Sequence, residues 1–267
     1  MQLKRRPKRA PFPGCRGFSL TELAVVLAIV AVLLGGIMTT LSVRIDQSNN
    51  DETRRRIDTA LEALIGFAIV NRRLPCPATA GTTGDEALAG GSAATGGPCV
   101  TNFGGFLPAR TIGFQPVDAQ GYALDAWGNR IRYALASTLD VTAANCAAPT
   151  LPHFTSVANL KANGLSCRPN NLVICGSATG ISATTCNTAV PVTNQTTVVL
   201  VVFSTGKNGS VATAFGADEA ANTNGDGVFV SRIPGTIETG GGAYDDVMAW
   251  LPVGVLYGRL IAAGVLP

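Results

Sequence analysis

The sequence predicts an α+β fold, with one long N-terminal helix packed on an antiparallel β-sheet. Three stretches carry that prediction. From Leu23 to Val43 no residue is charged, and an uninterrupted apolar run of about 20 residues is what a helix needs to cross a hydrocarbon core. Ile57, Leu61, Leu64, Ile65, Ala68 and Ile69 then fall on one face of a helix. Thr196–Ser204 is β-branched and apolar almost throughout, which reads as a central, buried strand and is too short to span a membrane as a helix.

Residues 1–17 form a basic leader, with Lys4, Arg5, Arg6, Lys8, Arg9 and Arg16 and no acid. The chain has 20 basic and 17 acidic residues, a formal charge of +3; without the six leader cations it stands at −3. Overall charge therefore gives no support to nucleic-acid binding. The leader charges hold that end in the cytoplasm. The leader has no apolar stretch of its own, so it is not an ordinary secretory signal, and neither Arg5-Arg6 nor Cys15 sits in the context a twin-arginine or lipoprotein signal requires. The next residues are Gly17-Phe18-Ser19-Leu20-Thr21-Glu22-Leu23. Glu22 stands at the edge of the apolar run, where a carboxylate is costly unless a cation meets it. It also suits the first turn of a helix, where an acid complements the dipole.

One helix is expected from about Thr21 to about Asn71, with Gly35-Gly36 inside it and Arg54–Arg56 on a solvated face. In domain terms, residues 18–73 are this helix, its membrane span at about 18–43, and 74–267 are the globular head. Leu74-Pro75-Cys76-Pro77 ends the helix, because proline disfavours it in itself and in the preceding residue. Residues 78–105, rich in Gly, Ala, Thr and Ser, read as a loop region. Trp127-Gly128-Asn129 makes a turn into a half-buried strand at Arg130–Leu135, with Trp127 and Tyr133 as core residues. Leu172–Cys175 reads as a strand in a hairpin stapled by Cys175 and Cys186. Near the C-terminus, Asp245 or Asp246 is expected to cap a short helix, with a further helix at Leu256–Ala262; the two aspartates as metal ligands is the alternative.

Cys15 leaves with the leader, and six of the seven cysteines remain. An even number beyond a membrane span fits disulfides in an oxidising compartment. Sequential pairing is the expectation: Cys76 with Cys99, Cys146 with Cys167, Cys175 with Cys186. No C-x-x-C occurs and His153 is the only histidine, so a zinc site has little support. No H-E-x-x-H, G-x-S-x-G or P-loop is present, and the chain is not expected to be an enzyme.

The Gly17–Leu23 motif, with its basic leader and apolar run, resembles the class III signal of type IV pilins and type II secretion pseudopilins. The resemblance covers about residues 14–45. It implies that a membrane peptidase, the prepilin peptidase, cuts after Gly17 and methylates the new terminal Phe18, and that Glu22 pairs with the terminal amine of a neighbouring subunit. The implied partners are other pilin or pseudopilin subunits, in a homo- or hetero-filament, and the inner membrane, which the chain crosses once with its head in the periplasm, or at the cell surface after fibre assembly. Asp125-Ala126-Trp127-Gly128-Asn129 with Tyr133 is similar to a segment of major pseudopilins, departing from it at Ala126, where the family has proline. Ser204-Thr205-Gly206-Lys207-Asn208-Gly209 is similar to the segment before their calcium loop, with Asn208 in place of aspartate.

That last likeness implies bound Ca²⁺. Hard cations take six to eight oxygens from carboxylates, amides and carbonyls. Asn208, Asp218, Glu219, Asn222, Asn224 and Asp226 with a carbonyl near Thr205 are the expected donors, and a polar surface loop is the plainer alternative. Residues 140–195 have no counterpart in the pseudopilin pattern and read as an outward insertion, either a disulfide-held decoration with no partner or, if the chain is a tip or adhesive minor pilin, its contact surface. Outside this class, the alternative is a membrane-anchored periplasmic binding protein or enzyme that uses the helix only as an anchor.

Overall fold

The computed structural model describes residues 19–137, 152–211, 215–238 and 242–266, with side chains at all of these except 34–42, 236–238 and 242. The chain divides into two units, Met1–Asp46 and Gln47–Pro267, and helix α1 (Leu20–Asn71) contributes to both.

In the first unit, the described apolar side chains of α1 lie open. Leu20, Leu23, Val25, Val26, Leu27, Ile29, Val30, Val32 and Leu33 are all exposed. A contiguous apolar surface of this extent marks a face that meets lipid or other chains. Among the described residues no helix is long and apolar enough to cross a membrane, and positions 34–42 of the apolar run lie outside the described side chains.

The second unit is α+β, as expected. The later part of α1 buries Ile57, Ala60, Leu64, Ile65 and Ala68, with Leu61 and Ile69 at the edge of the same core. This is the face the periodicity marks out. The helix stops at Asn71; Arg72 turns left-handed at φ 57°, and the Leu74 N–H then bonds the Phe154 carbonyl at 2.8 Å.

In chain order, the rest of this unit is β1 (Gly105–Phe106), α2 (Ala109–Ile112), β2 (Arg132–Leu135), α3 (Val157–Asn163), β3 (Val173–Cys175), β4 (Val198–Ser204), α4 (Ala217–Thr223), β5 (Val228–Val230), β6 (Gly235–Glu238), β7 (Gly242–Tyr244), β8 (Val247–Pro252) and α5 (Val253–Ala262). The main sheet is antiparallel, in the order β1-β2-β4-β8. β4 is buried at every position and sits between β2 and β8, the central strand its composition calls for. Its last residue, Ser204, pairs with Val247, the first of β8. The loop after β4 and the approach to β8 therefore share one end of the sheet.

One expectation is extended and one is corrected. Cys175 and Cys186 are joined, and beyond Cys186 the chain returns antiparallel along β3, with Cys175 bridged to Pro191, as expected; β3 also pairs in parallel with β5, which the sequence reading did not foresee. Val173, Ile174 and Cys175 are all buried. A strand buried throughout needs an apolar neighbour on each edge, and Val228-Phe229-Val230 supplies the second one. Asp245 and Asp246 do not cap a helix; they lead into β8, with α5 only after Pro252. Pairing along β4 outweighs the local capping signal, since strand preference is set mainly by neighbours.

Candidate functional site

At the start of α1 the sequence builds a capping box. The Ser19 N–H and hydroxyl both reach Glu22 Oε2 at 2.9 Å, and the Glu22 N–H donates to Ser19 Oγ at 3.2 Å. Two of the helix's orphan N–H groups are satisfied reciprocally. Gly17 and Phe18 lie outside the described residues.

The second site is at the end of the main sheet where β4 exits and β8 begins. The chain leaves Ser204 through Gly206 at φ 64°, where a Cβ would stand 2.0 Å from Asp245 Oδ1. Only glycine lets the two segments approach this closely. A short way on, α4 brings Glu219 in, and carboxylate oxygens of Glu219, Asp245 and Asp246 all lie within 4.8 Å of one another. The Asp245 N–H donates to Glu219 Oε1 at 2.8 Å, and Asn208 Nδ2 donates to Glu219 Oε2 at 2.7 Å.

The cluster is short of donors. Asn208 Oδ1, Asp245 Oδ1 and Asp246 Oδ1 are buried with no hydrogen-bond partner among the described residues, although buried polar atoms are paired as a rule. Asp246 is only 3% exposed. Burial, and then the charge of Glu219, pushes the Asp245 carboxyl up to about 6. Burial drives Asp246 well above the usual carboxylate range, with Glu219 and Asp245 adding to it. Like charges at this spacing repel by about 3.5–4 kcal/mol per pair at an effective dielectric of about 20. Three crowded carboxylates and a spare amide oxygen are donors of the type that hard cations take.

The expected ligands divide. Asn208 and Glu219 are in the cluster, and Thr205 is buried beside it on the same loop. Asn222 borders it through nitrogen, since Nδ2 donates to Asp246 Oδ2 at 2.7 Å while its oxygen accepts the Val230 N–H. Asp218 faces elsewhere, paired with Arg232 at 2.7 Å. Asn224 and Asp226 bond each other in an exposed Asx turn, and Asp226 also takes the Val228 N–H. Asp245 and Asp246, which the sequence reading gave first to a helix cap and only alternatively to a metal, are the residues that complete the group. The signal for them was two adjacent acids just before an apolar run with no use for a capping group.

Around the site, the Asp125–Asn129 turn grips the same loop. Ser204 Oγ donates to Asp125 Oδ2 at 2.5 Å, and Asn129 Nδ2 donates to the Gly206 carbonyl at 2.6 Å. Tyr133 is fully buried, as predicted, while Trp127 is only partly buried and packs at the core's edge. Cys76–Cys99 and Cys175–Cys186 are formed as expected. Cys167 is disulfide-bonded, and Cys146, its expected partner, lies outside the described residues.

Residues 13–38 match the family model described as the prokaryotic N-terminal methylation motif. No curated protein and no solved structure matches the chain. The matched segment takes in the leader's end, Gly17, Phe18, Glu22 and the first half of the apolar run. By that match, the N-terminus of this chain is that of a type IV pilin-like prepilin with a class III signal.

Proposed function

We propose that this chain is a structural subunit, a pseudopilin or minor pilin, of a type IV pilus-like or type II secretion fibre. Prepilin peptidase removes residues 1–17 and methylates Phe18, and the apolar first part of α1 then anchors the subunit in the inner membrane and packs against other subunits. The observation that carries this reading is the methylation-motif match at residues 13–38. The open apolar face of α1 between Leu20 and Leu33 supports it, because such a face needs lipid or neighbouring helices around it. Both capping bonds to Glu22 land on Oε2, so capping is compatible with a charge pair to a neighbour's terminal amine.

The head's part in this reading includes Ca²⁺ at Glu219, Asp245, Asp246 and Asn208, holding the β4 exit to the β8 approach. What supports it is the unpartnered, buried oxygen set described above. No catalytic role is assigned to the chain.

Mass spectrometry of the mature N-terminus tests the main claim. The expected terminus is N-methylated Phe18. A membrane-bound chain that keeps residues 1–17 would overturn the fibre reading in favour of a plain anchor.

A further inference from the structure

The cysteine-rich insertion reads from sequence as an outward decoration. Part of it packs inward, against the back of the carboxylate cluster. Asp218 precedes Glu219 on α4, and neighbouring residues leave a helix roughly 100° apart. Glu219 meets Asn208 and Asp245, while Asp218 reaches the other way, into the loop closed by Cys175–Cys186. Its Oδ1 accepts the Ala178 N–H at 2.6 Å and the Ser177 hydroxyl at 3.3 Å. Its Oδ2 accepts from Arg232 Nε at 2.7 Å.

Arg232 extends the connection. Its guanidinium lies over the Tyr244 ring, 5.0 Å from the centroid, and Tyr244 is the residue before Asp245. The Tyr244 hydroxyl donates to the Val230 carbonyl at 2.8 Å, and Asn222 on α4 bonds both backbone groups of Val230. Ala178 and Ile181 of the stapled loop pack against Ala221, Val230 and Tyr244. The segments that present Glu219 and Asp245-Asp246 bond each other directly, and one nearly buried ion pair ties both to the insertion.

We propose that Asp218 and Arg232 are positioning residues for the cation site, clamping α4 and the Tyr244–Asp246 segment to the stapled loop so that three carboxylates which repel one another stay in binding range. This rests on the calcium reading above. Groups that orient metal ligands without touching the metal commonly alter affinity by about 10–100-fold when removed.

The test uses the full chain in detergent, with calcium titrated calorimetrically and melting followed in chelator. Asp218→Asn and the milder Arg232→Lys are compared with the unsubstituted chain; the second keeps the experiment decisive if the first does not fold. The expected result is a calcium Kd raised about 10–100-fold in Asp218→Asn, and by less in Arg232→Lys, whatever the change in the calcium-free Tm. A lowered calcium-free Tm with Kd unchanged in the folded variants would reduce the pair to a structural ion bridge and overturn the proposal alone. No calcium binding by the unsubstituted chain would overturn the cation reading and this proposal together.

Discussion

Two turns flank the loop that leaves β4, and each buries aspartate, with opposite outcomes. Asp125 is 2% exposed and its carboxylate is well supplied. Oδ1 accepts the N–H groups of Trp127 at 2.9 Å and Asn129 at 2.7 Å, and Oδ2 accepts the Ser204 hydroxyl. Asp245 and Asp246 sit beside the same loop with one oxygen each unpartnered among the described residues, and with a third carboxylate against them. Burial raises the carboxyl pKa at all three. Burial therefore does not separate them; the number of donors does. A carboxylate ringed by donors is a structural fastener, and one left short of them is a candidate cation ligand.

The largest effect should come from breaking the fastener. Asp125→Ala leaves the N–H groups of Trp127 and Asn129 and the Ser204 hydroxyl without their acceptor, at about 1–3 kcal/mol for each group that stays buried. The expected loss in urea unfolding is about 4 kcal/mol, of similar size with calcium or with chelator. A loss confined to chelator would erase the distinction between the two turns.

The other turn should answer to calcium. A ligand at about 100 times its Kd stabilises the folded state by about 2.7 kcal/mol, so calcium should raise the Tm of the full chain and Asp246→Asn should remove the gain. In chelator the same variant should melt higher than the unsubstituted chain, since it removes one of three crowded charges. Asp226→Ala is the matched control: its carboxylate serves an exposed turn, and the calcium gain should survive it. Loss of the gain in Asp226→Ala, with retention in Asp246→Asn, would reverse the assignment.

That contrast also marks what the sequence could reveal. The buried face of α1, the central strand β4, the turn at Trp127-Gly128-Asn129 and two disulfides were legible, because each depends on local pattern or spacing. The carboxylate cluster was only half legible. Asn208 and Glu219 lie in a stretch dense with oxygen-bearing side chains, and the sequence reading extended the same role to Asp218, Asn224 and Asp226. Which acids converge is decided by sheet register. Ser204 opposite Val247 carries Asp245 and Asp246 to the loop after β4, a relation between residues some forty positions apart that no local signal encodes. The parallel partner of β3 was hidden for the same reason.

His153 shows a third way to bury a titratable group, which is to discard the charge. It is fully buried, and burial lowers its pKa from 6.5 to about 4. The Tyr257 hydroxyl donates to the Cys167 carbonyl and lies 2.9 Å from His153 Nε2, so the neutral ring carries its proton on Nε2. Nδ1 is buried and unpartnered among the described residues; a proton there would find no acceptor. The folded state therefore binds fewer protons than the unfolded chain below pH 6.5, and this contribution to stability is full above 6.5 and lost as pH falls toward 4. Asp245 acts in the opposite sense: its carboxyl is raised on folding, so acidification relieves it. The comparison must therefore be made against a variant. In chelator, the stability of the unsubstituted chain relative to His153→Gln should fall by about 2 kcal/mol between pH 7 and pH 5. A difference that does not change with pH would mean that His153 can take up its proton without leaving the core, and that donor supply governs the acids of this head but not its one histidine.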